Sequence, residues 1–161
     1  MSYWLMKSEP ESFSIDTLQK RPGQTEPWDG VRNYQVRNMM RDQMKAGDLA
    51  FFYHSSCDEP GIYGVMTIAS NAYPDPTQFD AKHHHYDPGS KREEPRWLLV
   101  DVKFQRKLKR PILLNELRMH EKRLKGFMLL AKGSRLSVMP VQKAHWDFIL
   151  ELEDGKTRKK S

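Results

Sequence analysis

The eleven residues WDGVRNYQVRN, from Trp28 to Asn38, bring together an aromatic ring, an acid, a glycine, two arginines and two asparagines. Trp28, Arg32, Asn33 and Tyr34 offer a π-face, a planar cation, an amide that can bond through both of its polar atoms, and a hydroxyl. These groups can hold an unstacked nucleobase, by stacking and by hydrogen bonds to its edge. Stacking on one aromatic contributes about 1–3 kcal/mol per base, so a single tryptophan can decide binding. A structural account of the same stretch is also open: Trp28 anchors a core, Asp29-Gly30 turns the chain, and Asn33 caps a helix. The polar segments KSEP (7–10), YHS (53–55) and SRLS (134–137) sit at the ends of expected strands and can converge on the same cavity.

Other constellations carry less. Cys57 and His54 are close in sequence, but no orienting third group or oxyanion hole accompanies them, and an ordinary loop thiol is the simpler account. Adjacent residues of an extended segment point in opposite directions, so His83, His84 and His85 cannot all reach one ion without a special turn. No metal or cofactor is expected. Neither GxxxxGK[ST] nor GxGxxG is present, and the acidic pairs Asp58-Glu59 and Glu93-Glu94 lie in charged turns without an apolar pocket to raise a pKa. The sequence does not identify an enzyme.

The elements that must position these groups follow from periodicity. Tyr3 to Met6 is a short apolar strand ended near Pro10, and Ser14 can cap a short helix that RPGQ (21–24) stops. Val36, Met39, Met40 and Met44 lie on one helical face, with Asn33 as cap and Gly47 as terminator. DLAFFYHS (48–55) and GIYGVMTIAS (61–70) read as paired strands of a hairpin. Residues 71–96 lack periodicity and form a long excursion, a feature that is often functional, with disorder as the competing account. Trp97 to Leu108 alternates as a strand, Leu114 and Leu117 mark a short helix, and KGFMLLAKG (125–133) is left open between helix and strand. SRLSVMP (134–140) reads as a strand ending at Pro140, and Trp146, Ile149 and Leu150 mark a closing helix. The expectation is an α+β domain on a small, mostly antiparallel sheet or barrel, comprising residues 1–153, with a disordered basic tail at 154–161.

Composition sets the class. The 161 residues carry 27 Lys and Arg against 21 Asp and Glu, a formal charge of +6, which suits a polyanionic partner without naming one. Cys57 is the lone cysteine, so a reducing compartment is expected. Lys7, Glu9 and Glu11 interrupt what a secretion signal would need, and no apolar run approaches the ~18 residues of a membrane span. A soluble, cytoplasmic protein is the resulting expectation.

With these segments in view, the chain resembles the EVE domain of the PUA-like superfamily. The matching stretches are YWLMKSEP, WDGVRNYQVRN, GDLAFFYHS, GIYGVMTI, YPDPTQFD, PRWLLVDVKF, LLAKGSRLSVMP and HWDFIL, which run in one order over nearly the whole length. Where the family commonly has alanine after Asn33, this chain has Val36, on the expected core face. The resemblance implies a PUA-like pseudo-barrel of mainly antiparallel strands flanked by helices, with a pocket that takes a modified base. It implies Trp28 as the stacking surface and Ser8 and Asn33 as readers of the base edge. Tyr53, His54 and Ser55 would form the opposite wall, and Arg135 and Ser137 the rim or floor. Lys7, Arg32 and Tyr34 would add contacts, and Lys156, Arg158, Lys159 and Lys160 would meet phosphates.

The expected function is a non-catalytic module that reads a modified base, a modified cytosine in DNA or a modified base in RNA. The alternative is a pocket for a small anionic metabolite or free nucleotide, with enzymatic nucleotide chemistry a third reading.

Overall fold

The computed structural model describes residues 1–133 and 135–155. Strand β1 (Tyr3–Ser8) pairs in parallel with β3 (Leu49–His54) and antiparallel with the edge strand β8 (Val138–Val141). Outward from β3 follow β4 (Gly61–Ile68), β7 (Asp101–Leu113) and β2 (Thr25–Pro27), all antiparallel, in the order β2-β7-β4-β3-β1-β8. Register shifts between Phe52 and Tyr53 of β3, and at two places where β4 meets β7, bend the sheet. The result is an α+β fold with a mixed, curled half-barrel sheet flanked by helices.

Both faces of the sheet are covered, which explains why the central strands read as nearly continuous apolar runs. Alternation assigns Trp4, Met6, Ala50 and Phe52 to one face, beneath α1 (Ile15–Lys20) and α2 (Tyr34–Asp42). Leu5, Phe51 and Tyr53 point to the other, beneath α3 (Leu114–Met119) and α4 (Lys143–Glu153). The expected caps form: Ser14 accepts from the Thr17 N–H at 3.1 Å, and Asn33 Oδ1 from the Val36 N–H at 3.0 Å.

Several boundaries differ from expectation. Helix α2 stops at Asp42, because the N–H groups of both Gln43 and Met44 close on the Met39 carbonyl. Gly47, with φ +98°, instead shapes the turn into β3. The alternating stretch after Trp97 is split into β6 (Leu98–Leu99) and β7, and β7 runs on to Leu113. Strand β8 begins only at Val138 and passes through Pro140 to Val141, which a strand at the sheet margin permits because that N–H needs no partner. The segment left open folds as a 3₁₀ turn at Met128–Leu130 behind buried Phe127.

The excursion at 71–96 is folded, around a polar hub. Strand β5 (Tyr73–Pro74) pairs with β6, and the fully buried Gln78 donates to the carbonyls of Asp75 and Trp97 while accepting from the Ser90 hydroxyl and the Trp97 N–H. Satisfying every polar atom of one buried amide orders a stretch with few apolar side chains to bury.

Candidate nucleic-acid interface

A cavity of about 480 Å³ opens where β1 ends. Lys7 and Ser8 come from the strand end, and Phe13 from the turn that follows, where its carbonyl accepts from the Ser8 hydroxyl at 2.6 Å. Strand β2 supplies Glu26 and runs directly into Trp28, whose N–H is tied to the Val100 carbonyl at 2.8 Å. The Trp28 ring meets Phe13 and Phe52 edge to face, at centroid distances of 6.1 and 5.5 Å. Its indole N–H has no hydrogen-bond partner among the described residues, whereas those of Trp4 and Trp97 donate to Asp48 and Asp87.

The far wall comes from the excursion, through His84 and His85. Gly30 has φ +82°, and a Cβ there would lie 2.3 Å from Cε1 of His85, so glycine is required both by the backbone and by the imidazole packed on it. Arg32 fastens this contact: its guanidinium donates to the His85 carbonyl at 2.7 Å, to Thr77 Oγ1 at 3.2 Å and to Asp75 Oδ2 at 3.1 Å. The same Asp75 oxygen accepts the Gly30 N–H at 2.9 Å. Asp75 is fully buried; burial alone would raise its pKa, but hydrogen bonds from Thr77, Gly30 and Arg32 outweigh it and hold the carboxyl below its ordinary value.

Of the expected site residues, the structure brings Lys7, Ser8 and Trp28 together at this cavity. Burial lowers the Lys7 pKa, and its ammonium lies 5.9 Å from the Tyr53 ring. Arg32 stands behind the cavity as its clamp. Asn33 has its amide oxygen engaged as the α2 cap. Tyr34 packs on Trp97 at 4.8 Å, under the Arg37 guanidinium. Tyr53 belongs to the core on the opposite sheet face, where burial pushes its pKa up to about 12. His54 Nε2 accepts the Ile15 N–H at 3.2 Å and its ring stacks on Tyr63, so it anchors α1 in place of any dyad with Cys57; burial lowers its pKa. Ser55 and Ser137 act through the backbone, the first donating its N–H to the Ser8 carbonyl and the second accepting the Lys7 N–H. Arg135 is exposed. Lys156, Arg158, Lys159 and Lys160 lie outside the described residues.

Sequence reasoning missed Phe13, Arg21, Glu26, Asp29, His84 and His85 at the cavity. Arg21 is ion-paired with Glu26 and lies over the Phe13 ring at 5.6 Å. For the histidine triplet the sequence offers a metal site or, more simply, a solvated loop. Its chain does make a special turn, closed by His83 N–H to Asp80 O and Tyr86 N–H to His83 O, which brings one ligand atom of each within 4.8 Å of the others. His83 Nδ1 is taken by the His85 N–H at 3.0 Å, and the turn presents His84 and His85 to the cavity. Burial lowers the His85 pKa, with His84 adding to the effect and Asp29 opposing it. The legible signal was the Asp29-Gly30 pair: a left-handed glycine beside the tryptophan leaves room for a side chain from elsewhere.

Comparison with known proteins bears on this geometry. The EVE domain family model matches residues 2–152. Human thymocyte nuclear protein 1 is 49% identical over 95% of this chain and 74% of its own length, and the zebrafish protein of that name is 52% identical over 95% and 72%. A crystal structure of human THYN1 in complex with 5-methylcytosine-containing DNA superimposes with a TM-score of 0.91, at 49% identity, covering 96% of this chain and 98% of that one. A Pseudomonas putida protein of 45% identity superimposes with a TM-score of 0.89, covering 94% of this chain and 99% of that one. The expected cytoplasmic location is corrected by these relatives, which are named as nuclear proteins. A lone cysteine does not separate cytoplasm from nucleus, since both are reducing. The chain belongs to the EVE domain family, together with the thymocyte nuclear proteins.

Proposed function

We propose that residues 1–153 form a non-catalytic module that reads 5-methylcytosine in DNA, taking the base into the cavity beside Trp28. The observation that carries this reading is a base-sized cavity lined by a tryptophan over which none of the described residues stacks a ring, in a chain so similar to a protein solved with 5-methylcytosine-containing DNA. In this reading the base leaves the duplex and stacks on Trp28, with Ser8 at its edge, while Lys7 borders the cavity with its ammonium turned toward Tyr53. Leaving the stack costs a few kcal/mol, which stacking on Trp28 and hydrogen bonds in the cavity offset. Arg32, Asn33, His54, Ser55 and Ser137 shape the site from behind, through the contacts described above, while Tyr53, Tyr34 and Arg135 stand further from the base. Exposed cations near the mouth, Arg21 among them, meet the flanking phosphates, which makes binding fall as salt rises.

The test is fluorescence anisotropy of short labelled DNA and RNA strands, unmodified or carrying one 5-methylcytosine, at two salt concentrations. Wild type is expected to prefer the methylated DNA, and Trp28→Ala to lose the preference while remaining folded. Equal, salt-sensitive binding of every strand by both proteins would reduce the interaction to charge and sink the reading.

A further inference from the structure

A cavity that accepts 5-methylcytosine faces a problem its stacking surface cannot solve. Thymine carries the same 5-methyl group and stacks equally well. The two bases differ at the edge: cytosine presents an N4 amine donor beside an N3 acceptor, and thymine an O4 acceptor beside an N3–H donor. Discrimination therefore needs an acceptor and a donor side by side in the cavity, in cytosine's order.

Three carboxylates line the cavity, Glu9, Glu26 and Asp29. Glu26 is tied to Arg21. Asp29 has no hydrogen-bond or ion-pair partner among the described residues, follows Trp28 directly in the chain, and is the one whose charge reaches the His85 imidazole. His85 Nδ1 is buried with no partner among the described residues, so a proton there would be an orphaned buried donor. The proton of the neutral ring belongs on Nε2, which makes that nitrogen a donor. Arg32 fixes the His85 backbone through its carbonyl, and the imidazole packs on Gly30.

We propose that Asp29 and His85 select cytosine against thymine, the Asp29 carboxylate accepting from the N4 amine and His85 Nε2–H donating to N3. Thymine would set its O4 against the carboxylate and its N3–H against the imidazole donor, so both contacts turn repulsive. This assignment rests on the reading of the cavity as a base site.

The experiment compares three strands that differ at one position, carrying 5-methylcytosine, cytosine or thymine, in anisotropy titrations against wild type, Asp29→Asn and His85→Ala. Asp29→Asn keeps the shape and offers an amide donor to O4. Its ratio of 5-methylcytosine to thymine affinity is expected to fall at least about tenfold from wild type. Asp29 is exposed and unbonded, so its melting temperature should not move; His85→Ala gives an independent route to the same loss of ratio. A wild type that prefers 5-methylcytosine over both other bases, with an unchanged ratio in both variants, would overturn the assignment and leave the pocket reading standing. A wild type without preference among the three strands would overturn both.

Discussion

Trp28 and Trp146 are both buried, at 8% and 3% exposure, yet they sit in different surroundings. Trp146, on α4, lies flat on Phe51 with ring centroids 3.8 Å apart at 17°, and against Tyr3 at 4.8 Å. Trp28 meets its neighbours only edge to face and borders a cavity. Burial does not distinguish a ring packed on both faces from one that borders a cavity; the orientation of its neighbours does.

The comparison can be broken most directly at the rings themselves. Trp146→Ala removes a stacked, fully packed ring and should cost about 3–5 kcal/mol, read as a shift in the urea midpoint. Trp28→Ala should cost less, since part of its surroundings is already empty, and should instead remove DNA selectivity. Equal losses of stability would show that Trp28 is an ordinary core residue.

The clamp behind Trp28 is the next place to press. Asp75→Ala leaves the Arg32 cation and the Gly30 and Thr77 donors without their acceptor, at about 3 kcal/mol, and loosens the His85 wall along with the stability. The pH dependence has a definite sign. The Asp75 carboxyl is held below its ordinary pKa, so its contribution is complete above about pH 4 and is lost as pH falls through the lower folded value. Midpoints measured between pH 2 and 6 should therefore drop on the acid side in wild type, and less so in Asp75→Asn. Parallel profiles for the two proteins would count against the clamp.

The smallest effect belongs to the rim. Arg21 is largely exposed and paired with Glu26, so Arg21→Gln should weaken every strand alike and reduce the slope of log affinity against log salt by about 1 or less. A change in base preference would mean that Arg21 reads the base, and that the cavity extends further than Trp28, Asp29 and His85.

Much of the scaffold was readable because it is local. Ser14 and Asn33 cap their helices by side chains that reach three residues ahead, and the apolar runs in 49–54 and 61–68 mark strands whatever they pair with. Boundaries failed where a non-local bond decided them, as when β7 continued to Leu113 because β4 extends beside it. The site was half legible. Trp28, Ser8 and Lys7 stood in recognisable polar stretches, whereas Tyr53 and His54, equally polar at a strand end, were drawn into the packing by alternation and by the Ile15 amide.

What the sequence by itself determined, then, is the set of strands and helices, a tryptophan beside a turn, and membership of a family. It could not place His85 on Gly30. That contact depends on a polar excursion folding about Gln78 and being pinned by Arg32 and Asp75 across more than forty residues. Hydrogen bonds between distant groups leave no periodic trace along a chain, and only the tertiary structure closed the wall that sets a buried tryptophan at the edge of a cavity.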